Sequence, residues 1–109
     1  MLCRVLGLVG AVEALAALCD TALAKPARCY TSDDGRYACE FVATDDVGSF
    51  EISARNKPTF SLIIEQPGVA SGYADYGSGS TSLPGRFHCN RSDPACWDND
   101  ARGTRICAW

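Results

Sequence analysis

CWDNDARGTRICAW, residues 96–109, closes the chain with two cysteines on either side of an acidic turn that contains a glycine. Taking Asp100-Ala101-Arg102-Gly103 as a four-residue loop sets Asn99 against Thr104, Asp98 against Arg105, Trp97 against Ile106 and Cys96 against Cys107. Directly opposed residues of an antiparallel pair lie about 4.5–5.5 Å apart at Cα, within reach of a disulfide. An opposite-charge pair and an aromatic–β-branched pair are the neighbours that sheets favour. The segment therefore predicts a β-hairpin stapled by Cys96–Cys107.

The same device recurs upstream in CYTSDDGRYAC, residues 29–39. A three-residue loop, Asp33-Asp34-Gly35, places the glycine where such loops need a left-handed residue. It then sets Ser32 against Arg36, Thr31 against Tyr37, Tyr30 against Ala38 and Cys29 against Cys39. The expected staples are thus Cys29–Cys39 and Cys96–Cys107, which leaves Cys89 as an unpaired cysteine that could link two chains into a dimer.

Between the staples, short strands and turns alternate. Tyr37–Ala43 reads as a strand, and Ser49–Ala54 alternates with Phe50, Ile52 and Ala54 on one face and Ser49, Glu51 and Ser53 on the other. Thr59–Glu65 points Phe60, Leu62 and Ile64 to the core, while Ile63 breaks the alternation and predicts some cover on its side. Pro67-Gly68 suits the centre of a type II turn. A weaker strand follows over Val69–Tyr73, then a flexible polar loop, Gly77–Ser82, then a short strand over Arg86–Asn90. The pattern predicts an all-β fold: a small antiparallel meander, as a sandwich or partly closed barrel, with two disulfide-stapled hairpins.

Residues 1–24 read as a secretory signal peptide, with Arg4 in a basic n-region, an apolar h-region and Ala22-Leu23-Ala24 ahead of a cleavage point before Lys25. Glu13 and Asp20 interrupt the apolar run, which argues against a membrane anchor, and Leu18 ahead of Cys19 suits lipoprotein processing poorly. Residues 25–109 then form a single small β domain, and the expected location is exported, periplasmic or extracellular. A domain of this size buries a modest core and gains from disulfides in an oxidising compartment. The whole chain has ten basic and thirteen acidic residues; removing the leader's one arginine and two acids leaves a formal charge of −2. No basic stripe or polybasic cluster results, so neither nucleic acid nor a membrane surface is an expected partner.

Candidate chemistry is sparse. Asp98-x-Asp100-x-Arg102-Gly103 matches the start of a calcium loop, but arginine holds the fifth position and Trp109 the twelfth, where a bidentate glutamate belongs. His88 and Cys89 are adjacent on a strand and point to opposite faces, so they do not form a nucleophile pair. Zinc lacks ligands once the cysteines are bridged. Asp33-Asp34 and Asp45-Asp46, the basis of a rival hydrolase reading, sit in turns where aspartate is favoured by local hydrogen bonding. No metal, cofactor or catalytic residue is expected. A non-catalytic binding or envelope-associated module, for a protein or saccharide ligand, fits best, with Tyr73, Tyr76 and Trp109 as aromatic candidates for its surface. Trp97 is expected in the core.

The segment Ala70-Ser71-Gly72-Tyr73-Ala74-Asp75-Tyr76 resembles the serine-glycine-tyrosine loop of the bacterial periplasmic inhibitors of c-type lysozyme. That family comprises small, exported, disulfide-bearing β-barrels, and the resemblance implies an inhibitory surface containing Ser71. The family's downstream lysine-glycine element has no counterpart, since no lysine follows Lys57.

Overall fold

The computed structural model describes residues 24–109; residues 1–23, on which the signal-peptide reading rests, lie outside the described residues. The described chain has no helix. It forms nine strands: β1 (Lys25–Thr31), β2 (Gly35–Ala43), β3 (Phe50–Ser53), β4 (Thr59–Gln66), β5 (Val69–Asp75), β6 (Ser80–Ser82), β7 (Phe87–Cys89), β8 (Cys96–Asn99) and β9 (Arg105–Ala108). All pairings are antiparallel. The order β4-β3-β2-β1-β9-β8-β7-β5 closes through β4–β5 into an eight-stranded barrel, and β6 is an extra strand on β5. Of the two architectures expected for the meander, the barrel is realised, and its strand order is closed. Closure removes the long unpaired edges that a small open sheet would expose.

The interior is filled by side chains, as a barrel of eight strands permits. Trp97, Phe87, Ile52 and Leu62 are its largest fully buried members. Phe41 and Phe50 stack with ring centroids 5.2 Å apart. Gly72 faces inward because Phe87 occupies the space a side chain would need: an added Cβ would stand 2.4 Å from Phe87 Cε1. Pro67 and Gly68 form the tight β4–β5 turn, with Gly68 at φ 79°.

The closing hairpin has the expected register, with Cys96 opposite Cys107, Trp97 opposite Ile106 and Asp98 opposite Arg105. Its disulfide spans 4.0 Å between Cα atoms. The first hairpin is stapled by the expected cysteines, Cys29–Cys39, in a different register. Thr31 pairs with Gly35, so Cys29 faces Tyr37, Cys39 faces Ala27, and the bridge runs diagonally across 5.9 Å. The cause is Ser32, which is held by β9 instead of β2. Its N–H donates to the Arg105 carbonyl at 3.1 Å, and its hydroxyl accepts from the Arg105 N–H at 2.8 Å. The Thr31 hydroxyl then caps the turn by accepting from the Asp34 N–H.

Four other expectations are corrected. Ser80–Ser82, expected within a flexible loop, is strand β6. Ser49, expected on the solvent face, is buried because its hydroxyl accepts the Ile64 N–H at 2.8 Å. Ile63, expected to be covered, is 39% exposed on the outer wall. Cys89, expected as a leftover thiol, has a partner of its own and is disulfide-bonded. It pairs in register with Trp97 and packs on the core. No intermolecular bridge is proposed through it. The Cys29–Cys39 and Cys96–Cys107 disulfides are compatible with an oxidising, exported location.

Candidate functional site

Antiparallel alternation gathers the turns at 32–34, 54–58, 76–79 and 100–104 at one end of the barrel. A cavity of about 430 Å³ opens there, within the size range of ligand sites. Phe60, Leu83, Phe87 and Ile106 supply its apolar walls, while Asp33, Tyr76, Thr81, Asn99, Arg102 and Thr104 supply its polar ones. Tyr76 is 62% exposed. Asp33 and Arg102 are exposed and make no ion pair among the described residues. The Arg102 backbone is nevertheless fixed: Asn99 Oδ1 accepts from the N–H groups of Ala101 and Arg102 at 2.8 and 2.7 Å. Asn99 Nδ2 in turn donates to the Pro84 carbonyl at 2.8 Å. A buried asparagine thus ties the β8–β9 tip to the segment between β6 and β7.

The acids of the closing segment lie outside this cavity and are internally engaged. Asp98 accepts from Arg105 Nε at 2.6 Å and from Asn90 Nδ2 at 2.9 Å. Desolvation pushes its carboxyl up, but those hydrogen bonds and the Arg105 charge outweigh it and hold Asp98 below its ordinary value. Asp100 accepts from the Arg86 N–H and meets His88 Nε2 at 2.8 Å, and these two hydrogen bonds, the backbone one foremost, lower it. Among the described residues, no group of acids, histidines and cysteines is arranged to hold a metal ion.

Of the four expected surface residues, the structure brings only Tyr76 to the cavity. Ser71 and Tyr73 lie on the outward row of β5. The Ser71 hydroxyl donates to Glu65 Oε2, and Glu65 Oε1 also binds Arg86 Nε at 2.6 Å. The Ser71 hydrogen bond foremost, joined by the charge and hydrogen bond of Arg86, outweighs desolvation and holds Glu65 below its ordinary value. Trp109 lies past the end of β9, at the opposite end of that strand from the cavity, half-buried under the Arg36 guanidinium at 5.1 Å. Its backbone pairs with Arg28 in both directions. Sequence reasoning missed Asp33 and Arg102 as rim groups, because each reads as an ordinary turn residue. Their signal is the shared end of the barrel, which only the topology reveals.

Compared with protein-family models, curated proteins and solved structures, the chain matches none at a significant level.

Proposed function

We propose that this is an exported, non-catalytic binding protein that holds its ligand at the open end of the barrel. The observation that carries this is the cavity: apolar walls, an exposed tyrosine, and one carboxylate and one guanidinium without ion-pair partners among the described residues. Such groups are available to a ligand without first breaking an internal bond. The chain's serine and histidine side chains in this region do not form a nucleophile–base pair. Ser71 is held by Glu65 and His88 by Asp100, so hydroxyl and imidazole do not meet. Export, with cleavage before Lys25, accords with the leader-like residues 1–24 and with stable disulfides.

The test is a nuclear magnetic resonance screen of the full exported protein against small aromatic, aliphatic-acid and saccharide fragments. At about 1 mM even a site worth −4.1 kcal/mol is half filled. Shifts should concentrate on Phe60, Tyr76, Leu83 and Phe87, and Tyr76→Ala should weaken them. A panel that leaves these resonances unmoved refutes the reading.

A second reading, inhibition of a lysozyme-type enzyme, is supported by the outward Ser71 on a closed disulfide-bearing barrel. It predicts inhibition of c-type lysozyme at micromolar protein, and no effect there removes it.

A further inference from the structure

One seam of the barrel is closed over only part of its length. β7 pairs with β8 from Cys89↔Trp97 to Phe87↔Asn99, and the Asp100 N–H extends that ladder to the Arg86 carbonyl at 2.9 Å. Beyond this point the chain leaves β8. Between Ala70↔Phe87 and Ala74↔Thr81, four residues along β5 are matched by six along the other strand. The two extra residues bulge at Pro84-Gly85. Gly85 has φ 68° and sits against the β8–β9 tip, where an added Cβ would meet Asp100 Oδ1 at 2.5 Å and Ala101 Cβ at 2.6 Å. The bulge delivers β6 to β5, and among the described residues no strand pairs with the tip beyond Asp100 on that side. β6 therefore pairs with β5 on one side and with nothing among the described residues on the other.

The hydrogen-bond phase of that open edge follows from one bond. The Leu83 N–H donates to the Gly72 carbonyl at 2.9 Å, which makes Gly72–Leu83 a hydrogen-bonded pair. Antiparallel pairs alternate, so Thr81 also turns its backbone groups toward β5. Ser80 and Ser82, both exposed, point theirs outward. The open edge borders the cavity directly, with Thr81, Ser82 and Leu83 on one side and Asn99, Arg102 and Thr104 on the other.

We propose that this edge and the cavity beside it receive an extended peptide segment, which adds to β6 as a further strand. The inference rests on the reading of the barrel mouth as the binding site and names its ligand class. Backbone donors and acceptors repeating at every second residue match an extended polypeptide, and they do not match a saccharide. The apolar walls take one large apolar side chain of that segment. Arg102, exposed and without an ion pair among the described residues, takes a carboxylate on the same segment, because a guanidinium fork matches that group.

The test uses acetylated, amidated tetrapeptides from a positional library, added to the isotopically labelled full chain. Peptides that combine a large apolar residue with an acidic one should shift the Ser80 and Ser82 amides and slow their exchange. N-methylation of the peptide should weaken binding at least tenfold. Ser82→Pro should do the same, because it deletes an outward N–H that β5 does not use, whereas Ser82→Ala should not. Arg102→Ala should weaken the acidic peptides alone. Shifts at Phe60 and Phe87 without change at Ser80 and Ser82 would overturn the peptide proposal and leave the binding-site reading standing. So would unaltered binding of N-methylated peptides. Protection of both amides that grows with protein concentration would place a second copy of the chain on the edge and overturn the proposal. If neither tetrapeptides nor the fragment panel bind, both readings fall.

Discussion

Gly72→Ala tests the packing of Phe87, one of the apolar walls of the cavity. The position lies in β5, paired with Leu62 of β4, and its backbone dihedral is not left-handed. On backbone grounds alone the change should help by about 0.5–1 kcal/mol, since alanine loses less entropy on folding than glycine. Space decides the sign. The new Cβ would stand 2.4 Å from Phe87 Cε1, 2.9 Å from Phe87 Cδ1 and 3.3 Å from Leu62 Cδ2. Phe87 is 1% exposed and cannot swing into solvent. Overpacking of this kind costs about 1–3 kcal/mol. The net expectation is a loss of about 1 kcal/mol, which for a domain of this size lowers Tm by roughly 4–8 °C. Denaturant unfolding of the single variant, of Phe87→Leu and of the double variant measures the coupling. Leucine lacks the ring Cε1, the atom of closest approach, so Gly72→Ala should cost less in the Phe87→Leu background than in the native one. An unchanged or higher Tm for Gly72→Ala, or equal costs in the two backgrounds, would refute the steric reasoning.

Replacing Cys96 and Cys107 together by alanine should cost about 2.5–3 kcal/mol on the chain-entropy scale for a bridge of separation 11, read as a fall in the urea midpoint. Tyr37→Phe should be neutral or stabilising by up to about 1 kcal/mol, because the Tyr37 hydroxyl is buried with no hydrogen-bond partner among the described residues. A measured loss there would reveal an interaction that the hydroxyl does make. Acid should weaken the fold in a defined window. Glu65, Asp98 and Asp100 all sit below their ordinary values of 4.5, 3.8 and 3.8. The unfolded chain therefore binds more protons, and stability rises with pH through this range. Their contribution is complete above those ordinary values and is lost as pH falls through the depressed ones. Asp98→Asn should flatten the acid limb of the urea midpoint plotted against pH, and an unaltered limb would remove Asp98 from the cause.

The two hairpins show what a local pattern can specify. The closing one was legible because each opposed pair in it is satisfied within the hairpin: a salt bridge, an aromatic contact and a disulfide all demand one register. The first has the same cysteine spacing logic, yet Ser32 makes its bonds with Arg105, seventy-three residues away along the chain. No local count of loop residues includes that partner, so the register moves while the disulfide survives as a diagonal. Ser49 fails for the same reason, because what buries it is an amide of β4. Alternation names a face, and a distant hydrogen bond can override it.

The mouth of the barrel was illegible on the same grounds, with one further cause. Pro84 and Gly85 read as a plain turn, and a turn is what the chain makes there. Their consequence lies in the neighbours: the same two residues that let β7 keep its register with β8 withdraw β6 from it. A meander with evenly matched strands would have sealed this seam and left no backbone edge beside the cavity. Gly85 is fitted closely against Asp100 and Ala101, and Asn99 holds the Pro84 carbonyl, so the bulge is packed into place. A rigid bulge that keeps a short edge open beside an apolar cavity is the arrangement a strand-adding ligand requires. It stands at the end of the barrel where Tyr76 and Arg102 are still available to bind.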